Sequence, residues 1–168
     1  MTQSVAIIGG GLAGCEAAWQ LHRAGIPVTL MEMKPHRFSP AHHSSDLGEL
    51  VCSNSFRSDI LNSAPGLLKA EMRSLSSLIM AAAGESKVPA GKALAVDRER
   101  FAAFVTNALQ QAPGVEILRR EVNSLSDPAL SAFSRIVVAA GPLASPSLTT
   151  SLLDRMQEDL LGKQLREW

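Results

Sequence analysis

Gly9-x-Gly11-x-x-Gly14 constrains this chain more than any other feature. It follows Val5 to Ile8, a mostly β-branched run without polar alternation, which predicts a strand buried on both faces of a parallel sheet. Leu12, Ala13, Ala17, Ala18 and Leu21 then recur at helical spacing, and Gly25 stands where a left-handed C-terminal cap is expected. Pro27 to Met31 reads as a second buried strand, which completes a βαβ unit of about 30 residues. In such a unit Gly9 permits the tight turn, Gly11 lets the backbone approach a diphosphate and Gly14 lets the helix pack on the strand. The amides of Gly10, Gly11, Leu12 and Ala13 open the helix, where the macrodipole favours negative charge. Glu32 ends the second strand and is placed to accept hydrogen bonds from ribose hydroxyls, so FAD or NAD suits the site better than NADP.

The fold class expected from this arrangement is α/β, a Rossmann-like dinucleotide-binding domain. A second segment favours a flavin. Ile136 to Gly141 (IVVAAG) reads as a buried strand ending in small residues, similar to the Ala-x-Gly turn of the two-dinucleotide-binding flavoproteins. Residues 33 to 64 hold three histidines, two prolines and a serine-rich run and read as one long connection, a length that often marks function. Pro65 begins a predicted helix whose apolar stripe (Leu67, Leu68, Met72, Leu75, Leu78, Ile79, Ala82) runs to Gly84. Lys92 to Val96 is a predicted strand, and Asp97 caps a helix through about Gln111 with Phe101, Phe104, Val105 and Leu109 facing inward. Val115 to Leu118 reads as a further strand. After Gly141-Pro142 a Ser/Pro/Thr-rich hinge leads to an amphipathic helix over Leu152 to Leu165, with Leu153, Met156, Leu160, Leu161 and Leu165 on its apolar side.

Sixteen basic residues balance sixteen acidic ones, so no global positive field advertises a nucleic-acid partner. No apolar run reaches the roughly 18 residues of a membrane span, and the N-terminus lacks the pattern of a secretory signal. A cytoplasmic protein without a membrane partner is expected. The two cysteines, Cys15 and Cys52, are too few and too far apart for a zinc site or a CxxC pair, so reduced thiols are expected. Cys15, just inside the first helix, reads as a small buried residue.

Residues 40 to 59 read PAHHSSDLGELVCSNSFRSD, and GLLKAEMRSL (Gly66 to Leu75), VPAGKALAVDRERF (Val88 to Phe101) and AAGPLAS (Ala139 to Ser145) follow. These strings resemble the methylenetetrahydrofolate- and FAD-dependent tRNA uracil-5-methyltransferases over about residues 4 to 145. The resemblance implies an enzyme that methylates C5 of a T-loop uridine in tRNA. Methylenetetrahydrofolate supplies the carbon, and FAD with NAD(P)H reduces it. It implies residues 1–145 as the N-terminal portion of an FAD-binding domain, with residues 33–64 its active-site loop and 146–168 a divergent tail. Members are longer, so an incomplete FAD fold is expected.

On the residues alone, a lone cysteine is more often an inert buried thiol. The resemblance instead implies that Cys52, in Val-Cys-Ser-Asn-Ser-Phe, is the catalytic nucleophile. Uracil C5 is a poor nucleophile until a thiolate adds at C6, and such a thiol must be accessible and ionised, with Arg57 a candidate neighbour. Ser53 and Asn54 are candidates to bind flavin or uracil, although loop residues of these types commonly satisfy their own backbone. His42 and His43 are adjacent and point to opposite sides, so only one can serve the site, and His42 is the one the resemblance favours. No metal site is expected. Two other readings stand beside this one: a non-catalytic flavin- or nucleotide-binding remnant, and the related flavoproteins that modify wobble uridines, whose cysteine loop is glycine-rich.

Overall fold

The computed structural model describes the backbone of residues 4–164. In chain order the elements are β1 (Val5–Ile8), α1 (Leu12–Arg23), β2 (Val28–Glu32), β3 (Ser55–Ser58), α2 (Ala64–Ser74), α3 (Leu78–Glu85), β4 (Lys87–Val88), β5 (Ala93–Val96), α4 (Arg98–Gln111), β6 (Val115–Arg119), β7 (Arg135–Val138) and α5 (Pro146–Gln164). Four parallel strands form one sheet in the order β6-β2-β1-β7, and β3-β5-β4 form a small antiparallel sheet.

β1 lies at the centre of the larger sheet, with Ile7 opposite both Leu30 and Val137. Its alternate residues enter different cores, which is why the strand is apolar throughout. Val5 and Ile7 join Cys15, Ala18, Leu30, Phe101, Val105 and Leu109 on the side of α1, α3 and α4. Ala6 and Ile8 join Met31, Val122, Leu130 and Leu148 on the other side. The expected Rossmann-like sheet is therefore present, and Asp97 caps α4 as expected, its side chain accepting from the Arg100 amide at 3.0 Å. Among the described residues no helix is long and apolar enough to cross a membrane.

Four expectations need correction. The helix predicted from Pro65 to Gly84 is two helices, broken where Ser76 takes a positive φ of 56° and Ser77 caps α3 by accepting from the Met80 amide at 3.2 Å. Its proposed stripe fails in the first half: Leu67, Leu68 and Leu75 are exposed, whereas Leu78 to Met80, Ala82 and Ala83 are buried. The break is held from α1, where the side chains of Trp19 and Arg23 donate to the carbonyls of Ser76 and Leu75 and Glu16 accepts from Ser77 Oγ and the Ile79 amide.

The strand at Ile136 is not buried. It ends at Val138 and forms the sheet edge, leaving Ile136 and Val138 each 39% exposed. The connection over 33 to 64 is interrupted by β3, which a run of serines did not suggest. The last helix starts at Pro146 rather than after a hinge. Leu148 is its buried anchor, while Leu153 and Met156 are exposed. The remaining stripe positions, Leu160, Leu161 and Leu165, fall outside the described side chains.

Candidate functional site

The glycine turn is packed on three sides by different neighbours. Gly9 has φ 106°, and a Cβ there would lie 2.6 Å from the Ala139 carbonyl oxygen, so the Ala139-Ala140-Gly141 turn abuts it. A Cβ on Gly14 would run into the Gly9 carbonyl oxygen, which is why α1 can press against the turn only without a side chain there. Gly11 has nothing within 4 Å on its Cβ side. That open side faces a cavity of about 560 Å³ lined by Gly9 to Ala13, Glu32 and Cys52, with Val122 and Ala139 to Gly141 also on its wall. Gly14 is buried behind the turn and does not line it.

Glu32 is buried and does more than end a strand. Its Oε2 accepts from the Gly10 amide at 2.7 Å and its Oε1 from the Lys34 amide at 2.9 Å, so one carboxylate ties the turn to the following loop. Each oxygen keeps acceptor capacity for a further donor from the cavity.

The loop after β2 is built around a buried ion pair invisible in the sequence. Lys34 Nζ lies 3.0 Å from Glu49 Oε2 and donates to the Asp46 carbonyl at 2.7 Å. Burial works against ionisation of Glu49, yet hydrogen bonds from the His43 amide, Lys34 and the Ser44 amide outweigh it and hold the carboxyl below its ordinary pKa. The Gly48 amide donates to the Gly10 carbonyl at 2.8 Å, and Cys15 Sγ donates to the same oxygen at 3.2 Å. Cys15 is fully buried as expected. Burial and the Glu32 charge push its thiol up to about 12, so it is no nucleophile at neutral pH.

Cys52 is exposed at the cavity rim, in the same cavity as the glycine turn. The guanidinium that reaches its segment belongs to Arg98, which donates to the Cys52 carbonyl at 3.3 Å, whereas sequence proximity had pointed to Arg57. Asn54 and Ser53 satisfy backbone groups: Asn54 Nδ2 donates to the Val96 carbonyl and Ser53 Oγ accepts from the Ser55 amide. Of the histidines, His42 lines the cavity, its Nδ1 2.6 Å from Ser39 Oγ, while the His43 amide is turned to Glu49.

Residues 4–154 match the family described as glucose inhibited division protein A. The chain belongs to that family. Among curated members, it is 62% identical over 151 residues to the methylenetetrahydrofolate--tRNA-(uracil-5-)-methyltransferase TrmFO of Oleidesulfovibrio alaskensis, an alignment covering 90% of this chain and 34% of the relative. The protein of the same name from Geobacter sulfurreducens is 56% identical over 152 residues, again 90% of this chain and 34% of the relative. The chain thus spans about a third of the length of the curated relatives it matches. The GidA structure of Aquifex aeolicus (form II crystal) superposes with a TM-score of 0.57 at 18% identity, over 73% of this chain and 20% of that one, so the glucose inhibited division protein A fold is shared.

Proposed function

We propose that this chain supplies the FAD-binding part and the nucleophile of a methylenetetrahydrofolate-dependent tRNA uracil-5-methyltransferase. The observation that carries the reading is Cys52 at the rim of the cavity under the glycine turn, in a chain 62% identical to a TrmFO over 151 residues. Residues 1–145 form the cofactor-binding unit in this reading, and 146–168 an appended segment.

The residues fit FAD. Gly11 leaves its Cβ side open, the amides of Gly11 to Ala13 stand at the N-terminus of α1 for the diphosphate, and Glu32 has lone pairs for ribose hydroxyls. FAD, when bound, would supply the redox chemistry that brings a one-carbon unit to the methyl level with NAD(P)H as reductant. The chain's own part is at the thiol. Cys52 as thiolate adds to C6 of a T-loop uridine, forming a C–S bond while the C5=C6 electron pair moves toward O4. The resulting enolate is nucleophilic at C5 and takes the one-carbon unit derived from methylenetetrahydrofolate, the new C–C bond forming as the carbon's bond to its carrier nitrogen breaks and the electron pair leaves with that nitrogen. Loss of the C5 proton then re-forms the double bond and expels the thiolate. Cys15, neutral and buried, stays out of this chemistry.

Titrating the chain with FAD and following flavin fluorescence tests the cofactor half. Saturable uptake supports it, and a colourless protein that takes up no flavin ends it. For the catalytic half, residues 4–154 replace the matching third of the Oleidesulfovibrio relative, and label is followed from methylenetetrahydrofolate into tRNA. Methylation should require Cys52, so undiminished turnover by the Cys52→Ala chimera removes the nucleophile assignment.

A further inference from the structure

Helix α4 presents one face to the segment that carries Cys52. Arg98, Phe101, Val105 and Thr106 follow at helical spacing, and each meets a different part of residues 47–56. Arg98 Nη2 donates to the Cys52 carbonyl at 3.3 Å, and the Phe101 ring lies 5.6 Å from that of Phe56. A Cβ on Gly48 would lie 3.2 Å from a Val105 methyl, and Thr106 Oγ1 accepts from the Leu47 amide at 2.9 Å. From β5 a second hold closes on the same segment. The Asn54 carbonyl accepts from the Val96 amide at 2.9 Å, and Asn54 Nδ2 donates back to the Val96 carbonyl at 3.0 Å.

Leu47, Gly48 and Phe56 are fixed by packing and buried bonds, so the stretch near Cys52 is held at both ends. Between those ends Leu50 is buried and residues 51–55 are exposed, and beside the strand pairing of Ser55 with Ala95 the side-chain tethers of that exposed run to β5 and α4 come from Asn54 and Arg98. Neither residue lines the cavity. We propose that Asn54 and Arg98 are positioning residues: together they set where Cys52 stands relative to the glycine turn, with α4 as the rigid reference. A displaced nucleophile is costly, since about 1 Å of misplacement reduces a rate on the order of 100-fold. The inference rests on the reading of Cys52 as the thiol beside FAD.

The test uses the 168-residue chain and iodoacetamide, with mass spectrometry reporting alkylation of Cys52 with and without saturating FAD. Cys15 is silent in the native state because it is buried and protonated. In the unsubstituted chain FAD should slow alkylation of Cys52. Asn54→Asp keeps the shape but loses the donor, and Arg98→Met keeps the length but loses it too. Both should bind FAD with unchanged affinity and lose the protection, and Arg98→Lys, which can still donate to the carbonyl, should regain it. Full protection in both donor-less variants overturns the inference. So does a loss of FAD affinity together with protection, because the residues would then support the cavity rather than the cysteine. If Asn54→Asp does not fold, Arg98→Met and its lysine rescue decide the outcome. Absence of FAD binding or of protection in the unsubstituted chain overturns the underlying reading instead, so the two failures are distinguishable.

Discussion

The Gly10 amide and the Glu32 carboxylate, 22 residues apart in sequence, meet at 2.7 Å and join the glycine turn to the end of β2. Glu32→Gln tests that joint. A carboxamide offers one acceptor oxygen and sets an N–H against the other amide, so a buried donor is left unpaired at about 1–3 kcal/mol. Urea unfolding should show a loss of that size together with weaker FAD uptake. An unchanged midpoint would separate Glu32 from the integrity of the turn.

Gly11 and Gly14 predict opposite phenotypes. Gly11→Val adds a side chain into open cavity at a residue whose φ is −75°, so the unliganded fold should keep its melting temperature while FAD uptake is lost. Gly14→Val drives a side chain into the Gly9 carbonyl and should destabilise the fold itself. Calorimetry with and without flavin checks both; a destabilised Gly11→Val protein would mean the open side is not the binding side.

Cys15 makes stability fall in alkali. Its folded-state thiol titrates near 12 against an ordinary 9.0, so between these values the unfolded chain releases a proton that the native one keeps. The contribution is complete below about pH 9 and declines toward pH 12 at up to about 1.4 kcal/mol per pH unit. Cys15→Ala should flatten this limb of a denaturation-against-pH curve. A limb of unchanged slope would show that other groups produce it.

Acid should act on the loop after β2. Glu49 titrates below its ordinary 4.5, so its ionisation stabilises the native loop above that value, and the contribution is lost as pH falls through the folded pKa. Limited pepsin digestion between pH 5 and pH 3 should therefore cut first within residues 33–50. Glu49→Gln should make that segment cleavable already at the upper end of the range.

The outer rim of β7 should promote self-association, because an unpaired parallel edge with half-exposed Ile136 and Val138 invites strand pairing. Ile136→Lys should lower concentration-dependent light scattering while changing folding stability by only about 0.5 kcal/mol. Scattering that stays the same would place the sticky surface elsewhere.

Much of the larger sheet was legible because local signals agreed there. The apolar run of β1, the glycine spacing and Glu32 point to one topology, and each is confirmed in place. Asp97 was equally readable, since a cap depends on four consecutive residues. The failures lie where distant contacts override local pattern. Leu67 to Ala82 has an unbroken helical period, yet side chains of α1 pull the Leu75 and Ser76 carbonyls out of a helix. Ile136 and Val138 have the composition of a central strand, and composition cannot say whether a neighbour is present on both sides. At the candidate site, the glycines and Glu32 could be picked out from their motif and Cys52 only from the family resemblance. Lys34, Glu49 and Thr106 could not, because a buried lysine or a loop-binding threonine carries no mark in a single sequence.

A single bond, from the Gly48 amide to the Gly10 carbonyl, joins the loop that leads to Cys52 to the loop that leads into α1. Thermodynamic reciprocity follows for any pair of ligands that strain this bond differently. A compound seated at one loop must then tighten or loosen its counterpart at the other by an equal factor, so order of addition changes the path and leaves the end point alone.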